Sequence, residues 1–504
     1  MKSKLVLFFI LLAVTATSQA QDTVRRFFDT GKLDTISSGI LKEKRLIQVF
    51  VPATYKPGSK DKYDVLYVLD GGNWNTGLIM KVQHFLEDEK YMPPIIVVSI
   101  LGIDRNKDLT PTHIRDWNTS GGADKFLGFI KEELIPHINS NYPSSGDNAL
   151  WGHSLGGLFV INALLQAPQT FKSYIAADPS LWWDNCYIQG IAPDKLPALA
   201  GRPTTLFISG RAGNEGKNMK IDSMDAVLKK MAPADLSWKS IPYPDETHSS
   251  IRLKTIYDGL KFSYGWHDGQ LEFHPENGII IKNQPLKVWF FSDTTAVRYT
   301  LNGTVPERTA ATISPEITLT DATTLYIKQF TNRARYDKLR SGNFTAGKAM
   351  TPVSRPVGVR PGGFHYAYYE VPWDTLQSLK SLQPQQTGIL SPGFEDKLPR
   401  KKNYALLIDG LLETQEEGYY IFALDADAGS KLYLNNQLLI RWEGSASKRT
   451  TSYILPLKKG FYQLRLEYLR KQEDLHLKLG YVTPRNLQQK KVIPVPPELQ
   501  YSTR

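Results

Sequence analysis

The chain has 504 residues, which is too long for one ordinary domain, and its 41% hydrophobic and 22% charged residues are typical of globular proteins. The formal net charge of +11 is spread over short basic groups without a block of five Lys or Arg, which counts against a nucleic-acid partner. A single cysteine, Cys186, excludes an internal disulfide, and we interpret it as buried filler.

The N-terminus has the pattern of an export signal. Lys2 and Lys4 precede a short apolar run at 5–14, and Ser18 and Ala20 are small residues suited to a cleavage site. The run is too short for a membrane span, and no later run is long enough. We predict that residues 1–20 are a signal peptide and that the protein is exported, to the periplasm or outside the cell. An uncleaved anchoring helix is the alternative.

Residues from about 22 to 268 alternate between strand-like and helix-like segments. Near-continuous apolar runs at 63–70, 94–100 and 204–210 are typical of buried parallel strands. The segment at 123–141 carries apolar residues on one side, as an amphipathic helix does. The alternation predicts an α/β domain with a doubly wound, mostly parallel sheet over 22–268.

After about residue 270 the helical patterns end, and short strands separated by turn signals follow. We predict a small β-sandwich domain over 271–346. A second β-rich domain over 357–485 and a loosely held, Pro-rich tail over 486–504 complete the chain.

The stretch Gly152-His153-Ser154-Leu155-Gly156 lies between an apolar run and a helix-forming run. A serine at a sharp strand-to-helix turn has a strained backbone, and flanking glycines avoid steric collision there. The turn exposes the hydroxyl and directs the helix N-terminus toward an anion that forms beside it. We predict that Ser154 is a nucleophile; an ordinary Gly-rich turn with a bystander serine is the alternative.

A serine hydroxyl needs a histidine base, and the histidine needs a carboxylate that fixes its tautomer. His248 lies between the last predicted strand and the closing helix, where a loop would carry it beside the serine. His267 follows that helix. His248 is therefore the predicted base, whereas His153 is predicted to pack or to line the substrate pocket.

The acid is expected between serine and histidine along the chain, as in α/β hydrolases. Glu215 lies in the loop after the predicted strand 204–210, whereas Asp222 and Asp225 fall at or inside the next helix. We predict Glu215 as the acid, with Asp245 as the alternative.

An oxyanion hole needs two backbone N–H donors. We predict that Leu155, directly after the nucleophile, supplies one of them. The other is expected from the loop at Gly72 and Asn73, where glycine permits close approach.

Four stretches, at 65–71, 152–157, 178–183 and 246–248, are similar to the esterase D family. Residues 40–262 resemble these α/β hydrolases, which include feruloyl esterases, siderophore esterases and S-formylglutathione hydrolase. The resemblance implies the α/β-hydrolase fold, with Ser154 as nucleophile and His248 as base. It also implies that Trp182 and Trp183 lie by the acyl pocket, although core packing is an alternative role for this pair.

Residues 297–330 resemble the small sandwich of chitobiases, and 358–482 resemble the protective-antigen-type module that accompanies carbohydrate-active enzymes. Calcium-dependent members of the second group carry adjacent aspartates. Here Asp427 is followed by Ala428, so one hard oxygen ligand is missing. The alternative is that both modules serve only as spacers.

These features predict an exported serine esterase that works through an acyl-enzyme, without a cofactor or a metal. The preferred substrate is an acyl or feruloyl ester on a polysaccharide, because of the appended modules. A siderophore ester is the alternative within the same chemistry. A glycan-binding protein with an inert hydrolase domain is the alternative from another class. The oligomeric state is not predicted.

Overall fold

The computed structural model describes residues 31–265, 271–291, 296–373, 375–379, 381–391, 394–426, 429–443, 449–471 and 477–502. The predicted signal peptide, His267 and the Asp427–Ala428 pair therefore lie outside the described residues. The chain divides into two units, one of residues 1–268 with 331–337 and one of residues 269–330 with 338–504. Within the described ranges, the helices are too short or too polar to cross a bilayer.

The first unit is built on one eight-stranded sheet with the order β1-β2-β4-β3-β5-β6-β7-β8. β2 is antiparallel to both of its neighbours, and β3 to β8 run parallel. The strands are β1 (Lys32–Ser38), β2 (Glu43–Phe50), β3 (Tyr63–Val68), β4 (Ile95–Ile100), β5 (Ser144–His153), β6 (Ser173–Ala177), β7 (Thr204–Arg211) and β8 (Leu236–Tyr243).

Helices cover both faces of this sheet. They are α1 (Thr76–Asp88), α2 (Arg105–Leu109), α3 (Ala123–Phe129), a π-helical turn (Ile130–Leu134), α4 (Ile135–Asn141), α5 (Leu155–Gln166), α6 (Trp183–Lys195), α7 (Gly213–Asn218), α8 (Ile221–Met231) and α9 (Ile251–Tyr264). Successive residues of one strand enter different cores: Leu150 of β5 packs on one face and Trp151 on the other. This double coverage explains the continuous apolar runs, and the predicted doubly wound α/β unit is confirmed.

The second unit consists of strands and short turns of 3₁₀-helix. Its strands are β9 (Phe273–His274), β10 (Asn277–Ile280), β11 (Leu286–Phe290), β12 (Val297–Thr300), β13 (Glu316–Leu319), β14 (Thr323–Gln329), β15 (Lys338–Ala346), β16 (Arg360–Pro361), β17 (His365–Glu370), β18 (Gln386–Ile389), β19 (Tyr404–Thr414), β20 (Gly418–Ala426), β21 (Gly429–Leu434), β22 (Gln437–Trp442), β23 (Arg449–Leu457), β24 (Gly460–Arg470), β25 (Lys478–Val482), β26 (Ile493–Pro494) and β27 (Gln500–Ser502).

One sheet of this unit combines strands from both predicted β-domains, in the order β12-β14-β15-β10-β23-β20-β25-β26. The junction is the parallel pair of β10 and β23, where Gly278 lies opposite Ile454. A Cβ atom on Gly278 would lie 2.3 Å from the Ile454 carbonyl oxygen, so the close approach requires glycine. The segments 271–346 and 357–485, predicted as separate domains, thus share a sheet.

The tail after residue 485 differs from the expectation of a loosely held segment. β26 pairs with β25, and β27 pairs with β16 and β19. The expectation was wrong because this segment supplies two paired strands: β26 contains Pro494 and lies at a sheet edge, a position that tolerates proline, and β27 lies between β16 and β19.

Candidate active site

Ser154 lies between the last residue of β5 and the first residue of α5, with φ 61° and ψ −116°. A positive φ on a residue other than glycine is strained and needs support from its surroundings. The Ser154 N–H donates to the Ala177 carbonyl (2.9 Å), and the Ser154 carbonyl accepts from the Ser180 N–H (3.1 Å). A Cβ on Gly152 would lie 2.3 Å from the Gly156 oxygen. The predicted strand–turn–helix geometry is therefore present.

His248 follows β8, and its Nδ1 lies 2.6 Å from Oδ2 of Asp178. Asp178 comes directly after β6, with φ 39°, and its side chain is 0% exposed. In the parallel pairing of β5 with β6, His153 lies opposite Ala177, so Ser154 and Asp178 occupy the next positions along two adjacent strands. Because Nδ1 faces the carboxylate, Nε2 is the nitrogen that remains for proton transfer.

Glu215 does not contact His248, so the predicted pairing was wrong. Glu215 lies in α7, is 75% exposed and pairs with the Arg211 guanidinium. Asp245, the alternative acid, is also exposed. The physical reason is that β7 ends in Arg211, whose Nε donates to Oδ2 of Asp178 at 2.7 Å. The loop after β7 thus supplies a cation to a carboxylate from the loop after β6.

Sequence reasoning missed Asp178, although the stretch 178–183 was noted as a family feature. The available signal was its position, since Asp178 directly follows the strand that comes after the serine strand and its helix. Burial raises the pKa of the Asp178 carboxyl, but the hydrogen bonds from His248 and Arg211 outweigh burial and hold the pKa below its usual value. Asp178 is therefore a carboxylate at neutral pH.

His153 supports the loop that carries His248. Its Nε2 lies 2.6 Å from the His248 carbonyl oxygen, so this nitrogen carries the proton and donates. The two imidazole rings lie 4.4 Å apart between centroids. Burial, together with the neighbouring His248, lowers the pKa of His153 to about 3. His153 is thus a neutral donor. Because it directly precedes Ser154, its hydrogen bond holds the backbone of His248 close to the serine turn.

Leu155 and Asn73 are the N–H donors best suited to an oxyanion. Leu155 is the first residue of α5, where backbone N–H groups have no acceptor within the helix. The Gly72 N–H donates to Oγ1 of Thr76 at 3.1 Å, so it is engaged elsewhere. Of the two loop residues predicted for this role, Asn73 is therefore the better candidate.

The two tryptophans predicted at the acyl pocket have different environments. Trp183 is fully buried, donates from Nε1 to Oγ1 of Thr112 (3.0 Å) and packs edge-on against Trp117. Trp182 is 38% exposed. Core packing accounts for Trp183, whereas Trp182 is accessible to a ligand.

A cavity of about 290 Å³ adjoins His153 and is lined by the loop 70–75 with Arg105 and Arg252. Arg105 connects two walls of this cavity: its Nη2 donates to the His153 carbonyl (3.1 Å), and its Nε lies 3.2 Å from Oδ1 of Asp70. Burial raises the pKa of Asp70, and Arg105 partly offsets that effect. The cavity wall beside the nucleophile strand therefore holds an Arg105–Asp70 ion pair, and Arg252 adds a second guanidinium to the lining.

Arg252 also lines this cavity. Its Nη1 donates to Oδ1 of Asn75 (2.8 Å), and its guanidinium lies 5.8 Å from the ring centroid of Trp74, which is 79% exposed. An exposed indole beside a guanidinium suits an aromatic or anionic ligand group. Within the described ranges, no group of three or more His, Cys, Asp or Glu residues could hold a metal ion.

Comparisons with known proteins identify similar families for two parts of the chain. Residues 38–235 match the family model described as "Putative esterase", and residues 384–492 match the PA14 domain. A ferri-bacillibactin esterase of Bacillus subtilis is 31% identical over 166 residues, which are 29% of this chain and 57% of the relative. A siderophore triacetylfusarinine C esterase of Aspergillus fumigatus is 43% identical over 86 residues, 17% of this chain and 30% of the relative.

An iron(III) salmochelin esterase of Escherichia coli is 26% identical over 250 residues, 48% of this chain and 54% of the relative. The chain thus spans between 30% and 57% of the length of these three relatives. A solved structure of an IroE-like serine hydrolase from Shewanella oneidensis is 30% identical, covering 46% of this chain and 78% of that one, with a TM-score of 0.42. The chitobiase-type sandwich stays a prediction. The chain thus combines an N-terminal segment, residues 38–235, that matches the esterase family model with a strand-rich C-terminal region whose residues 384–492 match the PA14 domain.

Proposed function

We propose that this protein hydrolyses carboxylic esters through Ser154, with His248 as base and Asp178 as the acid that orients it. The observation that carries the proposal is the 2.6 Å contact between His248 Nδ1 and a buried carboxylate. A carboxylate at this nitrogen fixes the tautomer in which Nε2 can accept a proton from a serine. An inert hydrolase domain with a glycan-binding role has no need for such a buried His–Asp contact.

In the first half-reaction, the Ser154 hydroxyl attacks the ester carbonyl while His248 Nε2 takes its proton. The tetrahedral oxyanion accepts hydrogen bonds from the N–H groups of Leu155 and Asn73, each worth about 3 kcal/mol to such a transition state. The imidazolium of His248 then gives its proton to the leaving alcohol, and the acyl group stays on Ser154.

In the second half-reaction, a water molecule takes the place of the alcohol. His248 removes a proton from the water as it attacks the acyl carbonyl, and the oxyanion returns to the same two N–H groups. Collapse of this intermediate releases the carboxylic acid, and the proton on His248 returns to the Ser154 oxygen. Asp178 stays ionised throughout and stabilises the imidazolium.

For the substrate, we propose an ester-linked siderophore rather than a polysaccharide ester. The relatives are named as esterases of ferri-bacillibactin, triacetylfusarinine C and salmochelin, which supports the siderophore alternative over the feruloyl or acyl-polysaccharide preference. The lining of the cavity adds a physical argument. Catecholate iron complexes are anionic and aromatic, and Arg105, Arg252 and Trp74 offer two cations and an exposed indole.

The catalytic part of the proposal is tested with a neutral chromogenic ester, the wild-type chain and Ser154→Ala. We expect turnover by the wild type and a loss of at least about 10⁴-fold in Ser154→Ala, with an unchanged melting temperature. No turnover of any ester by the wild type, or equal turnover by Ser154→Ala, would refute the serine mechanism.

The substrate part is tested by comparing ferric and iron-free siderophore triesters with feruloylated oligosaccharides. For the ferric catecholate ester, we expect Arg252→Gln to raise KM at least about tenfold, because a charge-assisted contact is worth about 1.5–3 kcal/mol. Arg202→Gln, an exposed arginine near the start of β7, is the matched control. A faster reaction with feruloylated sugars than with siderophores would reject the substrate proposal.

We also propose that the protein is exported, on the basis of the pattern in residues 1–20. The PA14 match would then lie outside the cytoplasm with the hydrolase domain. N-terminal sequencing of the protein purified from the native host tests this proposal, since a start near Gln21 is expected. A retained Met1 in the mature protein would contradict it.

A further inference from the structure

We infer that Arg211 is a positioning residue that sets the pH range in which His248 works, because it shares one oxygen of Asp178 with the imidazole. The inference rests on the proposed function and adds a residue to that site. It concerns a cation at the place where the sequence predicted the catalytic acid.

Both donors meet at the same atom. Oδ2 of Asp178 lies 2.6 Å from His248 Nδ1 and 2.7 Å from Arg211 Nε. The other oxygen, Oδ1, has no hydrogen-bond partner within the described ranges. A carboxylate whose electron density is drawn to a guanidinium at the same oxygen attracts the imidazolium less strongly. Arg211 therefore acts on His248 through Asp178, without contacting the reacting atoms.

The backbone holds Arg211 in this place. Arg211 is the last residue of β7 and pairs with Tyr243 of β8, and the next N–H, of Ala212, donates to the Tyr243 carbonyl (3.1 Å). A Cβ on Gly216 would lie 1.6 Å from the Arg211 carbonyl oxygen, so the chain doubles back as only glycine permits. This turn brings Glu215 onto the outer side of the Arg211 guanidinium.

The charges around the imidazole come from several elements. Asp178 faces His248 from the loop after β6, and the neutral His153 faces it from β5. Arg211 lies behind Asp178 at the end of β7, while Arg252 of α9 donates to the Ser249 carbonyl next to His248. Among these groups, Arg211 shares a hydrogen-bond acceptor, Oδ2 of Asp178, with His248. Removal of Arg211 therefore changes the His248–Asp178 interaction most directly.

The charge of Arg211 is partly balanced from outside. The Arg211 side chain is 14% exposed, whereas the Glu215 side chain that pairs with it is largely in solvent. Solvent screens Glu215 more strongly, so the net effect at Asp178 stays that of a cation. Removal of the Arg211 charge is therefore expected to move the acid limb of the pH profile of activity to higher pH.

The test is the pH profile of kcat/KM on a neutral ester for the wild type, Arg211→Met and Arg211→Lys. We expect the acid limb of Arg211→Met to move up by about one pH unit. Arg211→Lys keeps the charge, and its limb should stay within about 0.3 unit of the wild type. A lower rate without a shifted limb, or the same shift in both variants, would overturn the inference.

A second variant does not depend on the stability of Arg211→Met. Glu215→Lys changes an exposed side chain and adds a cation beside Arg211, so the acid limb should move down by about 0.3 pH unit at low salt and by less at high salt. An upward shift, or an unmoved limb at low salt, would contradict the role of charge.

A measurement without turnover separates this inference from the proposed function. In the Ser154→Ala background, NMR titration of the His248 imidazole should show the same upward shift on Arg211→Met. If the wild type hydrolyses no ester, the proposed function fails while this titration still tests Arg211. If the ester is hydrolysed and the titration midpoint is unmoved, Arg211 is a structural residue and the inference fails.

Discussion

Two buried aspartates lie at opposite ends of the parallel strands of the same sheet, and their surroundings differ. Asp178 follows β6, and Asp64 lies at the start of β3; both side chains are 0% exposed. Both oxygens of Asp64 have partners: Oδ2 accepts from Arg333 (2.6 Å), and Oδ1 accepts from Ser145 (2.7 Å) and Arg335 (3.0 Å). Asp178 instead receives both of its donors on one oxygen, and one donor is a titratable imidazole.

The hydrogen-bond partners of a buried carboxylate indicate its role. A carboxylate saturated by arginines and a hydroxyl is a structural tie, since no proton has to move there. A carboxylate that shares an oxygen between a histidine and an arginine, on a backbone with positive φ, has the features of a reactive site. Exposure alone does not separate the two residues, but the identity of their partners does.

The largest expected effect is on activity at the Asp178 edge. Asp178→Asn keeps the shape of the side chain but favours the wrong tautomer of His248. We expect kcat to fall about 10⁴-fold, as amide replacement of a triad acid does in serine proteases. The melting temperature should fall less than for Asp64→Asn, because Arg211 keeps Glu215 as a carboxylate partner. Steady-state kinetics and thermal unfolding check this, with the exposed Asp194→Asn as control. A loss below about tenfold would remove Asp178 from the triad.

At Asp64, at the other end of the strands, we expect a substitution to lower stability rather than activity. Asp64→Asn leaves two arginines without their anion, and breaking such a buried pair typically costs about 3–5 kcal/mol. We expect the free energy of unfolding to fall by about that amount, while kcat of the remaining folded protein stays within about twofold. Urea unfolding measures it, with the exposed Asp61→Asn on the same approach to β3 as control. Equal stability of the two variants would contradict the structural role.

His153 predicts a pH-dependent loss of stability at the catalytic edge. Its pKa falls from 6.5 in the unfolded chain to about 3 in the folded protein. Its contribution is therefore complete above about pH 6.5 and is lost as pH falls toward 3, by about 1.4 kcal/mol per pH unit. His153→Gln keeps a donor but cannot titrate, so its unfolding free energy should decline less steeply with acid. Parallel slopes for the two proteins in urea unfolding would refute the assignment.

The smallest expected effect concerns Glu215. Because this side chain is exposed and reaches Asp178 only through Arg211, Glu215→Ala should retain kcat/KM within about twofold at neutral pH. Asp222→Ala, also exposed and on the following helix, is the control. A drop of a hundredfold in Glu215→Ala alone would restore Glu215 as the acid and reverse the comparison between the loops after β6 and β7.

The α/β sheet could be predicted because parallel strands covered on both faces are buried at every position and are therefore mostly apolar, as at β3 and β4. The arrangement of the β-rich region could not. The pairing of β10 with β23 joins segments far apart in sequence, and nothing local in Gly278 or Ile454 specifies that partner. The same holds for the pairing of β27 with β19. The local sequence of the tail is Pro-rich and does not indicate this pairing, so the tail was expected to be loosely held.

For the site, the sequence was informative where chemistry leaves a local pattern. Ser154 lies in a turn that demands glycines, and His248 lies in a loop between a strand and a helix. The acid leaves no such pattern, because one carboxylate can reach the histidine from either of two adjacent loops. The order of the strands in the sheet decides between these loops. β6 lies next to the serine strand β5, and β7 ends in an arginine that binds the carboxylate from the loop after β6.

The partners of Asp64 have a consequence for how the chain is made. Asp64 and Arg333 are separated by 269 positions, so β3 leaves the ribosome long before its arginines exist. Domains generally fold from the N-terminus as synthesis proceeds. Here the segment 331–337, which groups with the first unit, is translated after all of the strands β9 to β14. In a nascent chain that ends at residue 268, Asp64 therefore lacks both arginine partners, and the sheet of the first unit gains these two ion pairs only when translation has passed residue 337.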